Sequence, residues 1–103
     1  MADVRHVYGT IAGSGSPITI EGCSVKKVSD HKGLYDVTFD QPFQHTPAAT
    51  VAEANPDEVD STGGSTKSNA NFVYIRNNAM RVKVGDSDGK GKDRTFSFIV
   101  IGV

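Results

Sequence analysis

The sequence predicts an all-β domain, an antiparallel β-sandwich of six to seven strands without substantial helix. Val, Ile and Thr make up about a quarter of the chain, whereas leucine occurs once, at Leu34. β-Branched side chains lose rotamer freedom in helices and pack well on a pleated surface. Short apolar runs are separated by turn-forming residues, and the 103 residues suffice for one domain, which we expect to span residues 1–103.

The N-terminal part of the chain predicts four strands. The first covers residues 4–11 and ends at the glycine- and serine-rich stretch 12–17. Short strands at 18–20 and 23–28 follow it. The strand at 34–40 alternates most clearly, because every second side chain is apolar: Tyr35, Val37 and Phe39.

Residues 46–54 allow two interpretations. Thr46 and Pro47 could be the N-cap and first residue of a helix. Alternatively, a strand begins just after Pro47, since proline is tolerated at the start of a strand. The all-β flanks favour the strand. The polar segment 55–69 that follows is long for a loop, and such loops are often functional or mobile.

A hairpin is expected next. Strand 71–76 is expected to place Phe72 and Tyr74 on one face and Val73 and Ile75 on the other. Asn77 and Asn78 suit a tight turn, because asparagine tolerates positive φ. The returning strand alternates apolar and basic side chains, the apolar ones being Met80, Val82 and Val84.

The last strand, at 94–103, follows a polar loop at 85–93. Phe96, Phe98 and Val100 are expected on one face, and Ile99, Ile101 and Val103 on the other. A strand that is apolar on both faces is typically central in its sheet or covered by a partner chain.

Composition excludes several functional classes. A formal charge of −1 argues against a dedicated nucleic-acid binder. No apolar stretch is long enough to span a membrane, and the N-terminal residues lack the apolar core of an ordinary signal peptide. These features fit a cytoplasmic protein and equally a protein that is assembled on a virion or a cell surface. The single cysteine, Cys23, excludes an intramolecular disulfide and a multi-cysteine metal site.

Charge is unevenly distributed along the chain. Residues 33–66 contain six carboxylates and no Lys or Arg, whereas residues 67–103 are net positive. Neighbouring strands that compensate each other would explain this pattern. The alternative is that surfaces of opposite sign meet between subunits.

No pattern points to catalysis, a cofactor or a metal. The loop 86–93 has the alternating carboxylates Asp86 and Asp88, but Lys90 stands where a third calcium ligand would be expected. A flexible hairpin loop is therefore favoured, with calcium as the alternative. The three histidines have no short ligand spacing, and Cys23 is expected to be a buried, inert thiol.

Basic side chains accompany an aromatic ring in the predicted hairpin. Arg76, Arg81 and Lys83 could gather near Tyr74 and bind an anionic ligand or a sugar ring. The alternative is an edge hairpin whose charges keep it soluble and prevent strand addition.

Two segments carry a resemblance to known modules. They read GLYDVTFDQPF at 33–43, followed by Thr46-Pro47, and FSFIVIG at 96–102. They resemble small β-modules at the tips of phage tail fibres and in related bacterial surface proteins, and the strand order is similar to that of H-type lectins. The resemblance covers residues 33–103.

The resemblance implies a six- or seven-stranded sandwich that assembles as a trimer or larger, with a strand at 47–54. In H-type lectins, sugar contacts come from loops near subunit boundaries, including the loop before the last strand. Here that loop is 85–93, which lacks the aromatic and histidine residues typical of the family, although Asp86, Ser87 and Asp88 could accept sugar hydroxyls.

The leading hypothesis is a non-enzymatic, oligomeric binding module for carbohydrate or another cell-surface ligand, assembled as a homotrimer or hexamer. Nucleic acid and membrane insertion are not expected. The alternatives are a purely structural assembly or capping module and a small free-standing protein of unknown function. The candidate ligand-binding residues are Asp86, Ser87, Asp88, Tyr74, Arg76 and Arg81.

Overall fold

A computed structural model describes residues 3–54, 67 and 69–103. The described residues form eight strands and no helix: β1 (Arg5–Ile11), β2 (Pro17–Glu21), β3 (Cys23–Lys27), β4 (Leu34–Phe39), β5 (Ala48–Glu53), β6 (Asn69–Ile75), β7 (Ala79–Gly85) and β8 (Phe96–Gly102). The predicted all-β class is confirmed. The expected number of strands was too low, because every apolar run forms its own strand, including the short β2. Most of the polar segment predicted at 55–69 lies outside the described residues.

The strands form two antiparallel four-stranded sheets. Sheet A has the order β2-β1-β8-β5, and sheet B has the order β3-β4-β7-β6. β8 pairs with β1 on one side and with β5 on the other, so it is a central strand, as its two apolar faces predicted. No helix in the described ranges is long and apolar enough to cross a membrane.

The hydrophobic core lies between the sheets. From β8 it receives Phe96, Phe98 and Val100, as predicted, and Phe96 packs on Tyr35 with 4.8 Å between ring centroids. The Tyr35 hydroxyl donates a hydrogen bond of 2.6 Å to the Gly13 carbonyl oxygen. This bond satisfies the polar atom of an otherwise fully buried side chain.

The ambiguous segment around residue 50 is a strand. β5 pairs with β8 along its whole length, from Ala48 opposite Ile101 to Glu53 opposite Phe96. Pro47 is buried just before its first residue, where it interrupts no ladder hydrogen bond. The strand interpretation is confirmed.

The predicted alternation of β6 is wrong at one residue. Phe72 lies opposite Val82, but Tyr74 lies opposite Arg81, so Val73 is an extra residue in the ladder. Such a bulge reverses the facing of every residue after it. Phe72 and Ile75 therefore pack against the core, whereas Tyr74 lies on the outer face with Arg81.

The turn at Asn77 and Asn78 is tight, as predicted, but for a different reason. The Arg76 N–H donates to the Ala79 carbonyl at 2.8 Å. Asp30 is the one non-glycine residue with positive φ in the described part of the chain, so neither asparagine uses that conformation. Instead, their main-chain carbonyls accept the N–H groups of Phe43 and Phe39, which fastens the turn to the segment after β4.

Candidate functional site

The β3–β4 and β7–β8 connections meet at one end of sheet B, and Gly33 joins them. Its N–H donates to Asp93 Oδ1 at 2.7 Å, and its carbonyl accepts the Val84 N–H at 2.7 Å. Gly33 has φ 74°, and a Cβ there would collide with the Val84 carbonyl oxygen. Only glycine fits this position, so the loop before β4 is held against β7 and against the segment before β8.

Asp93 fixes the same junction electrostatically. Its Oδ1 lies 3.3 Å from Lys27 Nζ, and Lys27 Nζ also donates to the His31 carbonyl at 3.2 Å. The hydrogen bond from the Gly33 backbone, together with Lys27, lowers the pKa of the Asp93 carboxyl.

The loop after β7 is organised around Asp86. Its Oδ1 accepts the N–H groups of Asp88 at 2.9 Å and Lys90 at 3.0 Å, and these bonds lower the pKa of the carboxyl. The Lys90 carbonyl accepts the Asp86 N–H at 2.9 Å. The carboxylate therefore shapes its own loop, and one of its oxygens is already occupied. No group of three His, Cys, Asp or Glu side chains in the described ranges could hold a metal ion.

Two depressions flank this junction on the outer face of sheet B. The first, which we call the β6 depression, has a volume of about 350 Å³. Phe72 and Val73 are its apolar neighbours, and its polar lining comes from the residue before β6, from β6, β7 and the Asp86 loop: Lys67, Asn69, Asn71, Lys83 and Asp86.

The second, which we call the β4 depression, has a volume of about 270 Å³. It is lined by Asp30, His31, Lys32, Leu34, Lys83 and Gly91. Lys83 and Gly91 line both depressions, which are therefore neighbours on either side of β7.

The candidate residues proposed from sequence fall into two separate groups. Asp86 lines the β6 depression, and Ser87 and Asp88 are exposed in the same loop. Tyr74, Arg76 and Arg81 lie toward the other end of the hairpin, near its turn. Arg81 and Asp86 are five residues apart along an extended segment, or about 17 Å, so the two groups do not form one site.

The second group is largely bound to itself. The Arg76 guanidinium lies 4.5 Å from the centre of the Tyr74 ring, and that of Arg81 lies 5.8 Å from it. Arg81 also donates two hydrogen bonds to Asp36, at 2.6 and 3.0 Å. These bonds lower the pKa of the Asp36 carboxyl. Tyr74 is therefore already stacked on a cation, which reduces the ring surface left for a sugar.

Sequence reasoning did not select Asn69 and Asn71 for the site. They flank the buried Ala70 at the start of β6, so both side chains lie on the outer face. The Asn69 Oδ1 accepts the Ala70 N–H at 2.8 Å, which leaves its amide NH₂ as a donor. The sequence signal that could have identified them is the pair of polar residues on either side of the small apolar Ala70.

The outer face of sheet A has the opposite character. Tyr8, Ile99 and Ile101 lie side by side there, 43, 39 and 42% exposed. Thr50 and Ala52 of β5 continue this face and line a shallow groove of about 330 Å³ with Ser97 and Ile99. The Thr10 and Ser97 hydroxyls are hydrogen-bonded at 2.9 Å. Among the described outward positions of this sheet, Glu21 on edge strand β2 is the one carboxylate, and there is no Lys or Arg.

Charge compensation between neighbouring strands is confirmed for one pair, Asp36 on β4 with Arg81 on β7, and Arg94, which precedes β8, forms a second ion pair with Glu53 on β5. Asp36 with Arg81, and Glu53 with Arg94 at 4.0 Å, each join the acidic segment 33–66 to the basic segment 67–103. Cys23 is buried, as predicted, and burial raises the pKa of its thiol to about 11.

Comparison of the chain with protein-family models, with curated proteins and with solved structures gives no significant match. The resemblance to tail-fibre tips and H-type lectins therefore stays a hypothesis. Any function has to be argued from the two outer faces themselves.

Proposed function

We propose that this protein is a non-enzymatic binding module that associates with copies of itself through sheet A and binds carbohydrate in the β6 depression of sheet B. The observation that carries the proposal is the division of the surface. Sheet A presents a partly apolar outer face that has one carboxylate and no Lys or Arg among its described outward positions, and sheet B presents polar depressions bordered by loops that hydrogen bonds hold in place.

The lining of the β6 depression suits a sugar. Asn71 offers both donors and acceptors, and Asp86 and Lys83 add an acceptor and a donor, which matches hydroxyl groups that both donate and accept. Val73, 54% exposed, offers apolar surface for the C–H face of a ring. The volume of about 350 Å³ lies at the small end for ligand sites. Hydrogen bonds within the Asp86 loop shape its rim, which reduces the ordering cost of binding.

The partner for sheet A is a second copy of the same face. Burying Tyr8, Ile99 and Ile101 against each other removes apolar surface from water, and Glu21 on edge strand β2, opposite Tyr8, is the one carboxylate among the described outward positions of this face. Packing that face on sheet B would instead desolvate Asp36, Arg81 and Lys83, which is costly. Several copies in one assembly would multiply weak single-site contacts.

A glycan array probed with the wild-type protein tests the binding function directly. We expect hits, and we expect Asn71→Ala to lower affinity about tenfold, because one hydrogen-bonding amide is lost. Ser24→Ala is the matched control, since Ser24 is exposed on β3, on the same sheet but outside both depressions. An array without hits, or equal losses in the two variants, would overturn the carbohydrate proposal.

A structural assembly module is the second candidate, and the exposed apolar face of sheet A favours it. Light scattering over a hundredfold concentration range distinguishes the possibilities when combined with the array. A trimer or hexamer that binds glycans supports the multivalent module. An oligomer without glycan binding supports the structural role, and a monomer throughout removes the argument from multivalency.

A further inference from the structure

The outer face of sheet A has larger side chains on one side of β8 than on the other. Because β8 pairs with both β1 and β5, the outward residues form rows across the sheet. In the central row, Tyr8 lies opposite Ile99, and Ile99 lies opposite Thr50. The two neighbouring rows are His6, Ile101 and Ala48, and Thr10, Ser97 and Ala52. In each row the β1 residue is larger than the β5 residue, so the outward side chains of β1 form a ridge, which we call the β1 ridge.

The small side chains of β5 leave a groove beside them, which we call the β5 groove. It has a volume of about 330 Å³ and is lined by Thr50 and Ala52, with Ser97 and Ile99 on its β8 side. Tyr8, 43% exposed, lies on the other side of β8. The face therefore carries both a ridge and a groove, and β8 separates them.

Two copies of this face can meet in two symmetric ways. Identical patches in contact are related by a two-fold axis, and packed sheets keep their strands nearly aligned, so the axis lies nearly along the strands or nearly across them. An axis across the central row places each strand on the same strand of the other copy. Tyr8 then meets Tyr8, the two grooves coincide, and Glu21 meets Glu21. Cavities and like charges removed from water are both destabilising.

An axis along β8 gives complementary contacts instead. β8 then faces β8, and the rotation places β1 of each copy over β5 of the other. Tyr8 comes to lie over Thr50 and Thr10 over Ala52, so each ridge enters the groove of the other copy. β2 lies beyond β1 and extends past the other copy's β5, which is the edge of sheet A. Glu21 on β2 therefore stays in solvent.

We propose that the protein forms a two-fold dimer through sheet A, with the axis nearly parallel to β8 and the β1 ridge of each copy in the β5 groove of the other. This inference rests on the self-association in the proposed function and specifies its geometry. The three strands cover about 14 Å by 24 Å. This is small for a specific interface, so the dimer should be reversible. The contact cannot build a trimer, because a patch that binds itself closes at two copies.

This geometry decides how ligands are held. A two-fold axis in the plane of the contact turns the two copies of sheet B to opposite sides of the dimer. Sheets pack about 10 Å apart, so the outer faces of the two B sheets lie about 30 Å apart or more. The two β6 depressions open in opposite directions, and one dimer bridges two ligand molecules. Weak contacts are then multiplied by joining ligand chains rather than by contacting one surface twice.

Cross-linking of cysteine variants tests the geometry without a ligand. Thr10→Cys and Ala52→Cys both keep Tyr8 in place, and a short bifunctional thiol reagent can span the facing sheets. We expect about tenfold more cross-linked dimer in a mixture of the two variants than in either variant alone, because Thr10 faces Ala52 of the other copy. Cys23 should not react, since it is buried.

A mixture of Thr38→Cys and Ala52→Cys is the matched control and should give no cross-linked dimer, because Thr38 is exposed on the outer face of sheet B. Cross-linking of Thr10→Cys alone that equals the mixture would overturn the axis along β8 and leave self-association through sheet A standing. Absence of cross-linking where light scattering shows an oligomer would overturn the role of sheet A as well. A monomer at every concentration would do the same.

Spin labels on Thr38→Cys test the orientation of the two B sheets. The distance between the labels of the two copies should be about 30 Å or more, and a shorter distance would overturn the bridging geometry. A trimer in light scattering would also overturn it. The glycan array tests carbohydrate binding separately, so a failure of that function is distinguished from a failure of this dimer.

Discussion

The two sheets have the same number of strands and cover the same core, yet their outer faces are chemically opposite. On sheet A, the outward residues of β8 are Ser97, Ile99 and Ile101. On sheet B, the equivalent central strand β7 turns Arg81 and Lys83 outward. The core-facing positions of both strands are apolar, so the fold places equal demands on them. The difference therefore lies wholly in the residues that the core does not constrain, which is where selection for a partner or ligand can act.

The largest expected effect is a loss of stability at Gly33, where the loop before β4 contacts β7 and the segment before β8. Gly33→Ala should lower the free energy of unfolding by about 4 kcal/mol or more, because a Cβ there meets backbone atoms that cannot move away. Gly89→Ala is the matched control, since Gly89 has a similar φ of 80° but a Cβ added to it would meet nothing within 4 Å. It should cost about 1 kcal/mol, from backbone strain alone. Denaturant unfolding measures both, and equal losses would contradict the assigned role of Gly33.

A positive charge at the centre of the outer face of sheet A should remove the difference between the sheets. Ile99→Lys is expected to weaken self-association about a hundredfold, because a lysine would have to be desolvated in the contact. The monomer should stay folded, since Ile99 is already 39% exposed. Thr38→Lys places the same charge on an exposed position of sheet B and should leave the solution mass unchanged. If both variants keep the wild-type mass in light scattering, sheet A is not the interface.

Acid should destabilise the end of sheet B that carries Asp93. The pKa of this carboxyl is lowered in the folded protein, so its ionised form stabilises the fold above about pH 4, and that contribution is lost as the pH falls through the lowered value. Asp93→Asn should therefore reduce stability at pH 7 and flatten the loss of stability in acid. Thermal unfolding from pH 7 to pH 2 measures this. Asp88→Asn, an exposed carboxylate in the neighbouring loop, should follow the wild-type curve.

Glu53 on β5 should have a smaller effect on the pH dependence of stability than Asp93, and one of the opposite sign. Burial raises the pKa of this carboxyl, with Arg94 opposing the shift, and no described group donates a hydrogen bond to Oε2. A raised pKa means that the folded state favours the protonated form, so stability falls as the pH rises through that value. Glu53→Gln should remove this fall in the same thermal series. A steeper fall in the variant would show that the pair with Arg94 outweighs the cost of burial.

Most of the fold could be predicted from local patterns. The alternation of Tyr35, Val37 and Phe39 predicted β4, and the all-β flanks were enough to choose a strand at 48–53. The bulge at Val73 could not be predicted, because it depends on how β6 pairs with β7 and leaves no mark on the alternation of β6 itself. The Asn77 turn shows the same limit, since its carbonyls are held by the Phe39 and Phe43 N–H groups from a distant segment.

The candidate site was less predictable for a related reason. The sequence shows that Arg81 and Lys83 share a face, but only the register shows that Asp36 faces one and Leu34 the other. That pairing decides which cation is neutralised inside the chain and which stays open to solvent. Polar loops could be recognised from composition, whereas the depressions between them depend on the meeting of Gly33, Val84 and Asp93.

The central place of β8 has a consequence for the order of folding. Sheet B is built from strands that all precede residue 86, so its four strands can pair before the last part of the chain is synthesised. Sheet A cannot, because β1 and β5 are joined only through β8. During synthesis on a ribosome, the apolar sides of β1, β2 and β5 would stay exposed until β8 (Phe96–Gly102) emerges. We therefore expect truncation within β8 to yield an aggregating chain, and folding to be limited by the long-range closure of β1 on β8.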